Sequence, residues 1–234
     1  MIPGILKRAR ITIVSIVTVM GGVACAHAAR ADGLSGVYVG GSFGWAQNEY
    51  DPAYINDLYI SSAKDAGDAL KYRSTSVHKA DDAWWANAGY MAWPYLGIDA
   101  SFIHLGEWTY RGTGSVQTSD GRLPVITTGT VTSHGPALAL LARLPLADSL
   151  DADIRVGDYY GKTTLVSGLD FNSKYTTTVQ STSKSSLLLS AGAVYTFVGH
   201  WSVRLDYLRV NQAGGGQTGK YDVNVAAAGV AFTF

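Results

Sequence analysis

The one His-x-Ser triplet in the 234-residue chain is His200-Trp201-Ser202. Two residues along an extended backbone put an imidazole and a hydroxyl on one face, the arrangement that activates a serine. The triplet falls at a turn signal, Val198-Gly199-His200, where such a spacing arises without chemistry. His104 and His134 have no serine at matching spacing on their own strand faces, and His78 stands alone in a polar stretch. The five histidines show no metal-ligand clustering. These residues predict no catalytic, cofactor or metal site. Six charges are more informative: Asp99, Arg143, Asp153, Arg155, Arg204 and Asp206 each alternate with apolar residues, so extended backbone through them would gather all six on one side. Such a set has two readings, a salt-bridge network filling a narrow interior or an ion-conducting path along the same groups.

The elements that must position these charges are strands. Eight segments alternate apolar residues with small or polar ones. Residues 37–45 set Val37, Val39, Phe43 and Trp45 against Tyr38, Gly40, Ser42 and Gly44. The second strand places Trp84, Ala86, Ala88 and Tyr90 opposite Trp85, Asn87, Gly89 and Met91, and stops at Trp93-Pro94. The third has Leu96, Ile98, Ala100 and Phe102 outward and Asp99 inward. Leu138, Leu140 and Ala142 mark the fourth, with Arg143 inward, and Ala152, Ile154 and Val156 the fifth, with Asp153 and Arg155 inward. The sixth carries Leu187, Leu189, Ala191, Ala193 and Tyr195. The seventh sets Trp201, Val203, Leu205 and Tyr207 against Arg204 and Asp206, and the eighth ends on Val230, Phe232 and Phe234. Polar stretches at 47–82, after Phe102, at 162–186 and around Gly214 to Gly216 read as long loops, and the connections between them as short turns. Trp93, Tyr95, Tyr195, Phe197, Trp201, Phe232 and Phe234 collect near those turns, as an interfacial aromatic girdle would.

This pattern predicts an all-β, eight-stranded antiparallel up-and-down transmembrane β-barrel with charge in the lumen and an apolar outer wall. A soluble ligand-binding barrel would reverse that polarity. At about 3.3 Å per residue and a tilt near 40°, the inward charges sit roughly 10 to 15 Å above the turns and can meet.

Ahead of the strands, a short basic segment at residues 4–10 precedes the apolar run 11–20 and the small-residue sites Ala26-His27-Ala28 and Ala29-Arg30-Ala31. That is the pattern of a secretory signal peptide over 1–31, cleaved after Ala28 or Ala31, with 32–234 as the barrel domain. The single cysteine, Cys25, lies in this leader. A lipoprotein reading would acylate it, but Gly22 stands where a bulky aliphatic is expected. Formal charge balances at 18 basic and 18 acidic residues. With Lys7, Arg8, Arg10 and Arg30 removed from the eighteen, 14 basic residues remain against 18 acidic ones, so nucleic-acid binding is not expected.

Several stretches resemble the OmpA/OmpX-type family of small outer-membrane barrels. GVYVGGSFGW (36–45) resembles that family's first strand, NAGYMAWPYLGIDASF (87–102) its second hairpin and YTFVGHWSVRLDY (195–207) its last periplasmic turn. The closing GVAFTF is similar to the assembly signal that such proteins present to the barrel-insertion machinery, here Val230, Phe232 and Phe234. The resemblance implies a Gram-negative outer-membrane protein of the porin-like cell-envelope class. It implies contact with outer-membrane lipid and lipopolysaccharide, biogenesis by the barrel-assembly machinery, and a structural role with surface presentation. Adhesive or immunogenic contact with an unnamed ligand through Tyr50, Tyr54, Tyr59, Tyr72 and the Ser- and Thr-rich loops belongs to the same reading. A narrow ion-conducting channel and a lipid A-modifying enzyme remain alternatives. In the family a turn triplet like His200-Trp201-Ser202 is commonplace without catalysis. Many larger relatives add a peptidoglycan-binding domain after the barrel; the expectation here is that cell-wall anchoring is not part of the role.

Overall fold

Apolar residues at every second position can be covered on one side only, so the chain forms strands that close on one another. The structure, a computed structural model, describes residues 36–65, 69–118, 121–171, 174–216 and 218–234. The leader over 1–31, with Cys25 and both cleavage sites, lies outside the described residues. Among the described residues nine strands and one helix follow in order: β1 (Gly36–Asn48), α1 (Pro52–Asp65), β2 (Ala69–His78), β3 (Ala80–Trp93), β4 (Leu96–Thr118), β5 (Gly121–Ala147), β6 (Leu150–Phe171), β7 (Lys174–Val198), β8 (Trp201–Gly215) and β9 (Gly219–Thr233). All pairings are antiparallel.

Eight of the nine strands form the barrel. β1 pairs with β3 on one side and with β9 on the other, which closes the ring. Following register partners from Gly36 through Met91, Gly97, Leu141, Arg155, Ser190, Leu208 and Val225 returns to β1 at Ala46. That stagger of ten residues over eight strands corresponds to a tilt of about 40°. The faces divide as the alternation requires. Val39, Phe43, Trp84, Ile98, Leu140, Val156, Leu205 and Val230 are exposed on the wall, while Tyr38, Trp85, Asp99, Leu141, Arg155 and Arg204 are buried inside. From Val37 to Trp45 the apolar belt is about 20 Å tall.

The long loops expected at 47–82, after Phe102 and at 162–186 are largely ordered secondary structure. Asp51 accepts the Ala53 amide hydrogen at 2.9 Å and caps α1, and Pro52 opens its first turn. β2, the ninth strand, pairs with the upper part of β4. β4 and β5 stay paired out to Thr118 and Gly121, and β6 and β7 to Phe171 and Lys174, so both hairpins continue above the apolar belt as a sheet. Ser and Thr there are β-formers in a polar setting, and composition alone read them as loop. His78 ends β2, and His104 and His134 lie opposite each other within β4 and β5.

A bulge re-aims β4 where it leaves the belt. The register shifts between His104 and Glu107, and Gly106 sits at φ 86°. Below the bulge odd residues such as Ile103 and Leu105 point inward; above it Trp108 and Tyr110 do. Asp81 holds the bulge by accepting the Glu107 amide hydrogen at 2.6 Å. A Cβ at Gly106 would lie 2.8 Å from the Asp82 carbonyl oxygen.

Candidate functional site

The six inward charges, carried on β4, β5, β6 and β8, form one buried network. Asp153 is its hub. Arg143 grips it with two hydrogen bonds, Nε at 2.8 Å and Nη2 at 3.0 Å, while Arg155 and Arg204 approach at 3.8 and 3.9 Å. Arg204 also holds Asp206, two residues along its own strand, through Nε at 3.0 Å and Nη2 at 3.1 Å. Arg155 reaches Asp206 at 3.5 Å and Asp99 at 4.0 Å. Three carboxylates therefore face three guanidinium groups, and the side chains of Asp153 and Arg204 are each only 1% exposed. Burying one of these ions alone would cost several kcal/mol, and mutual pairing offsets that penalty.

Asp99 draws most of its support from neutral donors that its alternating charge did not announce. The Tyr38 hydroxyl and the Asn87 amide, the latter at 2.7 Å, both donate to its Oδ2. Both share the inward parity of β1 and β3, which is the sequence feature that could have found them.

A second layer closes the lumen above the charges. Trp108 and Tyr221 meet edge to face at 4.4 Å between ring centres, with Tyr50 at 5.6 Å from Tyr221. Tyr159, Ser133, Thr163 and Tyr221 form a hydroxyl chain with steps of 3.1, 3.1 and 3.4 Å. Over this layer lies α1. Asn56 accepts from the Tyr110 hydroxyl and donates to Thr75 at 3.3 Å, and the Tyr59 hydroxyl donates to the Gly168 carbonyl at 3.4 Å. Burial pushes the Tyr59 and Tyr72 phenols above their ordinary range. Trp108 and Tyr110 escaped the sequence reading because the Gly106 bulge reverses the inward parity of β4.

The histidine–serine spacing does not form a dyad. The His200 ring packs toward Phe232 on the outer wall at 5.6 Å, whereas Ser202 is buried and its Oγ lies 3.1 Å from Thr196 Oγ1. His104 and His134 sit 6.4 Å apart on the outer face beside Trp84 and Phe102. Among the described residues, no group of three or more His, Cys, Asp or Glu side chains is placed to hold a metal. Val230 and Phe234 are exposed on the outer face at the closing strand, and Phe232 packs against Trp201 at 5.0 Å and Phe234 at 5.1 Å.

Comparison with known proteins agrees with this architecture. The family model for the OmpA-like transmembrane domain matches residues 34–234. Outer membrane protein A of Yersinia pseudotuberculosis serotype I (strain IP32953) is 27% identical over 203 residues, covering 84% of this chain and 48% of that protein. The Serratia marcescens protein of the same name is 26% identical over 203 residues, covering 84% and 49%. The chain thus spans about half the length of the curated relatives it matches. Among solved structures, Neisserial surface protein A is 11% identical, with a TM-score of 0.44 and coverage of 87% of this chain and 100% of that one.

Proposed function

The chain belongs to the OmpA-like transmembrane domain family and is a β-barrel of the outer membrane, and from that premise we propose that it acts as a closed barrel with a structural and surface-presenting role. The observation that carries this reading is the double closure of the lumen. Below, three Asp and three Arg side chains neutralise one another across the interior; above, Trp108, Tyr159 and Tyr221 fill it under α1. A conducting path would need charges lining open space, whereas these charges are spent on one another at 2.8 to 4.0 Å. The polar investment of the chain lies outside the belt, in the sheet built from β2, β4, β5, β6 and β7. At about 3.3 Å per residue and the barrel's tilt, residues 163–171 rise roughly 23 Å beyond the belt.

The same reading assigns partners and excludes catalysis. The apolar belt faces outer-membrane lipid and lipopolysaccharide, the face of β9 bearing Val230, Phe232 and Phe234 is read by the barrel-assembly machinery, and the raised sheet meets surface ligands. Ser202 and His200 occupy opposite sides of the wall, which supports a barrel that does not modify lipid A.

Three measurements on the refolded protein and on intact cells test this together. Planar bilayers should show no stepwise conductance, lipid A should remain unhydrolysed, and external protease should cut the raised hairpins of intact cells. Stepwise conductance altered by Arg155→Ala would establish the channel reading instead, and hydrolysis abolished by Ser202→Ala the enzymatic one.

A further inference from the structure

The sheet above the membrane ends in two edges that are built differently. On β2, a register shift between Tyr72 and Ser74, the cations Lys71 and Arg73 and the neighbouring helix α1 obstruct any added strand. Bulges and charges are the usual protection of an exposed edge. β7 has no such protection. It pairs with β6 from Lys174 to Tyr195, but its pairing with β8 begins only at Leu188. Lys184 and Ser186 reach the Gln212 carbonyl, at 3.1 and 3.2 Å, and cover the lower part of the gap. Along 174–181 no strand lies beside the outer edge among the described residues. Residues 175–181 (YTTTVQS) hold no charge, no Pro and no Gly, and their register with β6 is unbroken. Thr176, Thr177, Thr178 and Val179 are β-branched and exposed, so the backbone is already extended and its outward amides are accessible.

We propose that the free edge of β7 over residues 174–181 is a docking site for an extended acidic peptide segment, which adds to the sheet as an antiparallel strand. This rests on the surface-presenting reading and names the class of partner. Main-chain hydrogen bonds supply the attachment, as in other strand additions. Charge selects the sequence: Lys174 and Lys184 flank the site, and no acidic residue occurs from 171 to 186. A second copy in the same membrane does not fit. Two barrels in one membrane point the same way, and strands tilted by about 40° then cross at about 80° instead of running antiparallel.

The test uses the refolded full chain in detergent micelles and a blocked fluorescent octapeptide, Asp-Thr-Val-Thr-Val-Thr-Val-Glu. Saturable anisotropy is expected, weakened at least ten-fold by N-methylation of alternate peptide amides or by lysines at both peptide ends. Neighbouring residues send their amides to opposite sides, so one of Thr177→Pro and Thr178→Pro removes an outward N–H. That variant should lose at least ten-fold in affinity while keeping the compact electrophoretic form of the barrel. Lys174→Glu combined with Lys184→Glu should reverse the preference toward the lysine-ended peptide. Absence of saturable binding, or equal binding of the N-methylated peptide, overturns the proposal and leaves surface exposure and lumen closure standing.

Discussion

Asp153 and Asp99 occupy the same lumen and carry the same charge, yet their neighbours give them different weight. Asp153 receives both hydrogen bonds of Arg143 and stands within 4 Å of two further arginines. Asp153→Ala should therefore destabilise the barrel by about 3 to 5 kcal/mol, since it leaves buried cations uncompensated. Urea unfolding in detergent micelles checks this, and Arg143→Ala combined with it should recover part of the loss. Asp99 is different: its carboxylate is held by Tyr38 and Asn87, and Arg155 stands 4.0 Å away. A double-mutant cycle should give a coupling of about 1.5 to 3 kcal/mol between Asp99 and Tyr38, larger than that between Asp99 and Arg155. A larger coupling to Arg155 than to Tyr38 would show that the guanidinium, not the phenol, fixes Asp99. The six charges were legible because alternation assigns each to the inward face. Their pairing was not, because which arginine meets which carboxylate depends on the ten-residue stagger of the ring, and no single strand records it.

Elements above the belt were the least legible, although local cues existed. Asp51-Pro52 is a helix start, but the polar character of residues 47–82 favoured loop, and the partner that holds α1 is the distant pair Thr75 and Tyr110. The raised sheet is strand because long pairing satisfies its backbone, whatever its hydropathy. Two phenols make the docking of α1 and β2 sensitive to pH. Burial raises the pKa of Tyr59 and Tyr72 above the ordinary 10.0, so the docked state favours the neutral phenols. Docking stability from this source is complete below about pH 10, the undocked value, and is lost as pH rises toward the higher docked values. Protease cleavage within 52–65 on the refolded protein should accelerate as pH passes 10, with a protease whose own activity is flat there. Tyr59→Phe with Tyr72→Phe should flatten the response. In β4, Gly106→Ala forces a side chain into the left-handed region and against the Asp82 carbonyl, at a cost of about 1 to 2 kcal/mol. Trp108 lies just beyond that bulge, so a red shift of its fluorescence should accompany the loss.

At the scale of the whole molecule, alternation read strand by strand recovers the eight-stranded closed ring, because lipid accepts no unpaired edge and an even set of antiparallel strands with apolar outer faces must close. Closure itself lies at one seam, where β1 meets β9 from Tyr38 opposite Thr233 to Asn48 opposite Val223. Every other junction joins strands that are neighbours in the ring by a turn or by the β2 excursion, whereas this one joins the two ends of the barrel. Its loss opens the ring with no covalent connection to hold the two strands together. Unboiled protein should migrate in SDS as a compact species and shift only on heating, since dodecyl chains cannot replace a continuous ladder of backbone hydrogen bonds. Gly44 tests the seam directly. A Cβ there would fall within contact distance of the Ala226 carbonyl and of Ala227 on β9, both backbone-anchored and unable to move aside. Gly44→Val should cost about 1 to 3 kcal/mol by overpacking and lower the temperature at which the compact band disappears, while the same change at Gly216, where an added Cβ meets nothing within 4 Å, should leave that temperature unchanged. Identical transition temperatures for the two variants would show that the β1–β9 junction does not limit the opening of the barrel.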